Sequence, residues 1–241
     1  MNITFAGESN IGTVRHHNED NFLICNPPGQ EAAVAMVADG IGGHSRGEVA
    51  SYICCSEMLA AARKTDCRKW DKDFLLTTLE KINRRIFEFN FRGQRLRPMG
   101  CTVVAAIFSP EKILYAHAGD SRFYEFFREE GKTPLRQLTT DHRPENFKEL
   151  QEEFFRHTSL ISNAVGTAEN PDFEYGETER KKGAKYLLCS DGLYNHLPIQ
   201  MLTGIIGSDL TPKQIAGQLV RNAMLAGEKD NITVICAAEN N

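Results

Sequence analysis

Aspartates at the ends of apolar runs are the residues of this sequence best suited to chemistry. Apolar runs at residues 32–38, 113–119 and 186–190 lead directly into an aspartate, and two more aspartates stand just before other apolar runs. The five are Asp20, Asp39, Asp120, Asp191 and Asp230. Short apolar runs predict buried strands, so each carboxylate is expected at a strand end. Acids from five distant segments can therefore meet on one rim of the fold.

Asp39 is central to this hypothesis, because it follows an uncharged run and precedes the glycine-rich turn at residues 40–43. A lone Asp-Gly pair is more simply interpreted as a turn. The recurrence of acids favours another interpretation, since burying an unpaired carboxylate costs several kcal/mol and implies a bound cation. Ligands that are all oxygen select hard ions, so Mg²⁺ or Mn²⁺ is expected rather than zinc.

Arg15 lies within a few residues of two acids, Glu19 and Asp20. In a phosphate site, metal ions can hold one side of the anion and a bidentate guanidinium another. A surface salt-bridge cluster is the simpler interpretation when this stretch is taken alone. The adjacent His16 and His17 would face opposite sides of a strand and are assigned no role.

The composition indicates one globular domain, residues 1–241, and narrows the class of partner. The 241 residues are 41% hydrophobic and 25% charged, enough for a sizeable core. A net charge of −4 without a basic block argues against nucleic acid or an anionic membrane as partner. No apolar stretch is long enough to span a bilayer, and the first residues lack signal-peptide features. We expect a cytoplasmic monomer whose seven cysteines are reduced, with Cys54 and Cys55 in the core.

Hydrophobic periodicity predicts about nine short strands and several helices. The clearest strands are at residues 2–6, 21–25, 32–38, 101–108, 113–118, 123–127, 186–189 and 232–237. Helices are expected at residues 47–64, 71–90 and 212–226, the last opened by a capping box at Thr211. The inward residues are expected to be Val49, Ile53 and Ala60 in the first helix, and Leu75, Leu79, Ile82, Ile86 and Phe89 in the second.

Residues 141–182 differ in character from the rest: they are charged, helical at about 144–157, and then polar and irregular through Gly176. Such a segment is typical of a lid or a surface elaboration. Elsewhere, strands follow one another without intervening helices, which excludes a doubly wound parallel sheet. The pattern predicts an α+β fold in which two packed, mainly antiparallel sheets carry helices on the outside.

A series of short motifs, in this order along the chain, resembles the metal-dependent protein phosphatases of type 2C, the PPM family. The motifs are Arg15 with residues 18–20, residues 37–40 with 42–43, residues 100–102, 118–122, 138–141, 190–193, and 230–231. Each motif is weak alone, but the ordered set is specific and spans residues 7–236. The resemblance implies a four-layer α-β-β-α sandwich and hydrolysis of phosphoserine and phosphothreonine in proteins, a cognate kinase being a further expected partner.

The resemblance also implies a role for each matching residue. Asp39 would bridge two Mg²⁺ or Mn²⁺ ions, with Gly40, Glu19 and Asp20 serving one ion and Asp191 and Asp230 the other. Arg15 would hold the phosphate, and Asp120 would help to bind a third, weaker ion. Residues 141–182 would form a flap subdomain beside the site.

The chemistry agrees with this assignment, because two such ions lower the pKa of a bridging water and deliver hydroxide directly to phosphorus. No covalent phosphoenzyme is needed. A cysteine phosphatase would require a cysteine followed six residues later by arginine, a spacing that the sequence does not contain.

The sequence departs from the family pattern at two positions. Ile41 stands where many relatives carry a histidine, which leaves the proton donor for the leaving group open between a metal-bound water and His44. Asn195 stands where relatives often have another aspartate, so we expect the third ion, with Asn195 beside it, to bind weakly.

Two other functions remain open at this point. An inactive member of the family would use the fold to bind a partner, but such proteins usually lose metal-binding acids that are retained here. A metal-dependent hydrolase of a small phosphoester would use the same residues on a different substrate.

Overall fold

The computed structural model describes residues 3–41, 46–92, 98–130, 134–143 and 161–239. These ranges contain twelve strands, and most of them coincide with apolar runs of the sequence. They are β1 (Ile3–Asn10), β2 (Asn21–Cys25), β3 (Ala33–Ala38), β4 (Gly40–Ile41), β5 (Gly100–Cys101), β6 (Val103–Phe108), β7 (Lys112–Ala118), β8 (Arg122–Phe126), β9 (Leu135–Gln137), β10 (Glu174–Glu179), β11 (Lys185–Cys189) and β12 (Ile232–Glu239).

The strands form two five-stranded sheets and one two-stranded ribbon. The first sheet has the order β1-β12-β11-β8-β9, and the second has the order β10-β7-β6-β3-β2. The ribbon pairs β4 with β5, and Gly40 lies opposite Cys101. All of these pairings are antiparallel, which confirms the predicted fold class.

The helices lie outside the two sheets. They are α1 (Gly47–Lys64), α2 (Lys72–Arg92), α3 (Asp191–Tyr194), α4 (Ile199–Ile206) and α5 (Pro212–Leu225). One apolar layer joins α1 and α2 to the second sheet, another joins α3, α4 and α5 to the first sheet, and a third lies between the sheets. The predicted four-layer α-β-β-α sandwich is confirmed.

The helix faces match the prediction in part. In α2, Leu75, Leu79, Ile82 and Ile86 are buried as predicted, whereas Phe89 is 43% exposed. In α1 the predicted face is displaced: Ala60 is only partly buried, and all of the buried positions except Met58 are small residues that the apolar pattern underrates. The buried positions are Gly47, Ala50, Ser51, Cys54, Cys55, Met58 and Ala62. Val49 and Ile53 lie at the border of that face, and Cys54 and Cys55 are in the core as predicted.

Several strand predictions were wrong at their boundaries. The first strand continues to Asn10 because β1 pairs with β12 along its whole length. The strand predicted at residues 101–108 is interrupted at Thr102, whose backbone N–H bonds to Asp39 instead. The chain predicted to be irregular through Gly176 contains β10, which forms an end strand of the second sheet by pairing with β7.

Some predictions fall on parts of the chain that the structure leaves undescribed. The helix expected at residues 144–157 is one of them, so the flap at residues 141–182 stays a prediction. Gly42, Gly43 and His44 also lie outside the described residues. Among the helices that are described, none has the length and apolarity needed to cross a bilayer.

Candidate active site

Asp39 lies in the sharp connection between β3 and β4 and is fixed through its backbone. Thr102 N–H donates to the Asp39 carbonyl oxygen at 2.8 Å, and Asp39 N–H donates to Thr102 Oγ1 at 3.3 Å. The same hydroxyl lies 2.6 Å from Ser121 Oγ, next to Asp120. Thr102, where the strand is interrupted, therefore links the turn that carries Asp39 to the turn that carries Asp120.

Asp20 and Asp191 come from strands of different sheets. Asp20 directly precedes β2, and its Oδ2 accepts a hydrogen bond of 2.8 Å from Ser190, the residue before Asp191. Thr233 N–H in turn donates to Ser190 Oγ at 3.0 Å. Asp20 Oδ1 is buried and has no hydrogen-bond partner among the described residues. An orphaned buried carboxylate oxygen is costly and is satisfied well by a cation.

The electrostatics show that the five aspartates lie on one rim. Burial raises the pKa of Asp39 well above its usual range, and the negative charges of Asp20, Asp191, Asp120 and Asp230 raise it further. Four acids from four other segments thus act on a single carboxylate. Mutual repulsion of this kind is relieved either by protons or by bound cations.

Two other carboxyls of the rim show the same effect. Burial, followed by the charges of Asp120 and Asp230, raises the pKa of Asp191 to about 8. Burial also raises the pKa of Asp20 to about 6, although hydrogen bonds from Thr233 and Ser190 oppose the shift. Without a cation, these groups bind protons far more readily than exposed aspartates do.

Glu19 and Gly40 are brought together by backbone contacts. Gly40 N–H donates to the Glu19 carbonyl oxygen at 3.1 Å, and Ser51 Oγ of α1 donates to the same oxygen at 2.6 Å. A Cβ at Gly40 would lie 2.4 Å from the Gly47 backbone, so a residue with a side chain cannot occupy this position without displacing α1. Burial raises the pKa of the half-buried Glu19 carboxyl.

Arg15 lies at the open side of the rim. Its Nη2 donates to Asp230 Oδ2 at 2.7 Å, and the side chain is 47% exposed. The hydrogen bond to Asp230 raises the pKa of Arg15, with smaller contributions from the charges of Glu19 and Asp39. Arg15 is therefore half-exposed and lies beside the acids.

The expected third-metal residues contact protein groups. Asp120 is almost completely buried, and its Oδ2 accepts a hydrogen bond of 3.0 Å from Arg143 Nη2. Asn195 lies beside Asp191 and presents its amide nitrogen, which donates to Asp191 Oδ2 at 3.0 Å. An amide nitrogen is a hydrogen-bond donor and not a metal ligand.

Sequence reasoning missed a cluster of His117, His142 and Glu174. Within the described parts of the chain, these are the only three metal-ligating side chains whose ligand atoms lie within 4.8 Å of one another. They were not seen in the sequence because β10 was not predicted, and β10 is what places Glu174 opposite His117 of β7.

The hydrogen bonds favour a structural role for this histidine cluster. His142 Nδ1 accepts from Gly119 N–H at 3.2 Å, so the proton of the neutral ring is on Nε2, which faces Glu174 Oε2 at 3.4 Å. His117 Nε2 lies 3.5 Å from the same carboxylate oxygen, and burial lowers the pKa of His117 to about 4. With Nε2 of His142 protonated, the His142–Glu174 contact links residue 142 to the sheet, whereas neither ring nitrogen of His117 has a hydrogen-bond partner among the described residues.

The acidic rim fits hard divalent cations. Among the described residues, the rim offers carboxylate and carbonyl oxygens, and the acids outnumber Arg15, the arginine that bonds to Asp230. These acids are Glu19, Asp20, Asp39, Asp191 and Asp230. Within the described residues, no three of these carboxylates have ligand oxygens that all lie within 4.8 Å of one another. The ligands of a two-ion site, whose ions lie about 3.5–4 Å apart, are spread more widely than those of one ion.

Comparisons with known proteins agree with the fold and show the family. The protein phosphatase 2C family model matches residues 6–209. The serine/threonine phosphatase stp of Listeria innocua is 30% identical over 241 residues, a match that covers 95% of this chain and 93% of that relative.

Two solved structures extend the likeness to the whole chain. The structure of the S. agalactiae serine/threonine phosphatase has a TM-score of 0.84 and 25% identity, covering 99% of this chain and 100% of that one. The catalytic domain of the serine/threonine protein phosphatase PstP, in complex with two manganese ions, has a TM-score of 0.76 and 29% identity, covering 98% of this chain and 97% of that one.

Proposed function

The chain belongs to the protein phosphatase 2C family, and we propose that it hydrolyses phosphoserine and phosphothreonine in proteins at the rim around Asp39. It is a metal-dependent serine/threonine protein phosphatase. The observation that carries the location of the site is the raised pKa of Asp39 beside four other aspartates. A cluster of this kind costs stability, and its retention is explained by cations that it binds.

Asp39 is proposed as the ligand shared by two ions. Gly40, through its carbonyl, and the Glu19-Asp20 pair would serve one ion, and Asp191 and Asp230 the other. Bound there, the ions would lower the pKa of a coordinated water and neutralise charge on the phosphate. The orphaned Asp20 oxygen supports the first group, and the Asp191 carboxyl, with its pKa of about 8, supports the second.

The residues of the chain itself hold these ligands in place. Thr102 fixes the Asp39 backbone from both sides, and Ser190 fixes Asp20. Asn231 accepts from Glu19 N–H at 2.8 Å and thereby joins the loop before β2 to the loop before β12. Such hydrogen bonds orient the carboxylates before substrate arrives, which reduces the reorganisation required during reaction.

Arg15 is proposed as the phosphate-binding residue. Its contact with Asp230 leaves the rest of the half-exposed guanidinium available to phosphate oxygens. A planar guanidinium can bind two such oxygens at once, which positions the phosphorus relative to the rim. The proton for the leaving oxygen has no assigned donor among the described residues, since Ile41 carries none.

The finer assignments follow from the relatives. The PstP structure is a complex with two manganese ions, so Mn²⁺ or Mg²⁺ is proposed here. Phosphorylated proteins are the proposed substrates, with a serine/threonine kinase as the enzyme that acts in the opposite direction. All seven cysteines are free, in keeping with the proposed cytoplasmic location, and a monomer is proposed.

The test uses phosphopeptides together with the variant Asp39→Asn. In the unmodified chain, phosphoserine and phosphothreonine peptides should be hydrolysed with added Mn²⁺ and not in chelator. Asp39→Asn should lower the rate about a thousandfold or more, because several kcal/mol of transition-state stabilisation are lost at about 1.36 kcal/mol per factor of ten. The exposed Asp209, changed to Asn, is the matched control and should leave the rate unchanged.

Three outcomes would contradict the proposal. Full activity of Asp39→Asn would place the site elsewhere. Preference for free phosphometabolites over phosphopeptides would favour a small-molecule phosphatase. Absence of turnover despite bound Mn²⁺ would favour a partner-binding role.

A further inference from the structure

Asp120 is held by a cation of the protein itself. Arg143 Nη2 donates to Asp120 Oδ2 at 3.0 Å and to Tyr194 Oη at 3.1 Å. Tyr194 Oη in turn donates to the Asp120 carbonyl oxygen at 2.8 Å. The Asp120 side chain is 1% exposed and that of Arg143 is 21% exposed. This is a charge-assisted contact away from water, the kind of ion pair that salt screens least.

A second arginine fixes the position of Arg143. Arg122 Nε and Nη2 donate to the two carboxylate oxygens of Asp141 at 2.9 Å and 2.7 Å. Arg143 Nε lies 3.6 Å from the same carboxylate, and the Arg122 guanidinium lies 3.4 Å from the centre of the Tyr194 ring. Two acids and two arginines thus form a compact, charge-balanced group, which holds the Arg143 guanidinium against Asp120.

This group does not fit a further divalent ion. A metal between Asp120 and Asp191 would have to displace the Arg143 guanidinium or bind beside it, and like charges at such short range repel strongly. The neighbouring Asn195 turns its amide nitrogen, and not its oxygen, toward Asp191. The Arg143 guanidinium and the orientation of Asn195 come from different segments, and both disfavour a further divalent ion.

We propose that Arg143 replaces a third metal ion at Asp120, so that this chain binds two ions and holds the outer edge of its rim with a guanidinium. The inference rests on the proposed function of the rim as a two-ion site. Arg143 is a positioning residue in this scheme: it holds Asp120 and Tyr194 in place, and contact with substrate is not required of it.

The test is the number of Mn²⁺ ions bound per chain, measured by calorimetric titration and by metal analysis after equilibrium dialysis. The unmodified chain should bind two ions, and Arg143→Gln should bind a third, weaker one. Adding Asp120→Asn to Arg143→Gln should return the count to two. Arg143→Lys should retain two, because an ammonium group also neutralises Asp120. Arg221→Gln, an exposed change on α5, is the matched control.

The outcomes separate this inference from the proposed function. Three ions in the unmodified chain would overturn the inference alone and leave a metal-dependent phosphatase. Two ions in a folded Arg143→Gln variant would also overturn it, since removal of the guanidinium would not have opened a site. No bound ion in the unmodified chain would overturn the proposed function together with the inference. The count on the unmodified chain needs no variant, so the inference stays testable even where Arg143→Gln fails to fold.

Discussion

Asp191 and Asp120 lie on the same rim and are buried to nearly the same extent, at 5% and 1% exposed, yet their partners differ. The charges that act most on Asp191 are those of other aspartates, and the hydrogen bond from a neutral amide, Asn195, opposes them. Burial raises the pKa of Asp120 as well, but the charge and hydrogen bond of Arg143 oppose the shift. Asp120 has a cation within the chain, and Asp191 is proposed to take one from solution.

The comparison explains how one rim can contain both a binding site and a rigid edge. Acids repelled by their neighbours provide free energy for binding cations, because the ion relieves repulsion that folding created. An acid already paired with arginine provides little such energy, and breaking that pair would leave a buried charge unpaired. The Asp39 side of the rim is therefore suited to exchangeable ions, and the Asp120 side to fixed geometry.

The strongest test of this contrast compares how two equivalent substitutions change the free energy of unfolding of the metal-free protein. The two changes should have opposite signs. Asp191→Asn should raise the free energy of unfolding at pH 8 by about 1–3 kcal/mol, because it removes a repelled charge. Asp120→Asn should lower it by about 1–3 kcal/mol, because it removes the negative charge that pairs with the partly buried Arg143 guanidinium. Urea denaturation in chelator measures both, with Asp209→Asn as the control. Shifts of the same sign would refute the contrast.

Per pH unit, a smaller effect is expected in the pH dependence of stability. The folded pKa of Asp191 is about 8 and that of Asp20 about 6, both above the ordinary value of 3.8, so the folded chain binds more protons than the unfolded chain. The stability of the metal-free protein should therefore fall as pH rises from 3.8 toward these values and level off above them. The slope is up to about 1.4 kcal/mol per pH unit for each proton that only the folded chain binds.

Saturating Mn²⁺ should weaken this pH dependence, because bound ions hold the carboxylates ionised. Thermal unfolding between pH 5.5 and 8.5, with and without Mn²⁺, makes the comparison. A metal-free stability that rises across this range would show that the acids are not mutually repelled.

The smallest effect is expected at Asn195, which is four residues from Asp191 and donates to it. Asn195→Asp places a like charge at this helical spacing, which should lower the metal-free stability by about 0.2–0.5 kcal/mol. The number of bound Mn²⁺ ions should stay at two, since Asp120 remains paired with Arg143. Denaturation and metal analysis of the same preparations check both statements. A third bound ion would mean that Asn195, and not Arg143, determines the count.

The elements with clear periodicity could be predicted from the sequence, and the contacts across the fold could not. β2 and α1 have the predicted bounds, because an apolar run or a helical repeat carries that information locally. β10 was missed because its stability comes from pairing with β7, while its own residues are polar and only partly buried. Local patterns do not record such tertiary pairing.

The same distinction applies within the site. Asp39, Asp120 and Asp191 could be found because each follows an apolar run, and the rim brings them together. Arg143 could not be found, because its contact with Asp120 spans 23 residues and depends on how the chain returns to the sheet. The sequence also did not indicate which end of the Asn195 amide faces Asp191, because the neighbouring carboxylate decides it.

The position of β10 has a consequence for contacts between molecules. As an end strand of its sheet, it is where a second copy could add a strand by backbone pairing. Its six residues include Glu174, Glu177 and Glu179, so a second β10 laid alongside would bring like charges together. The glutamates that made this strand difficult to predict thus also discourage edge-to-edge aggregation of the sheet.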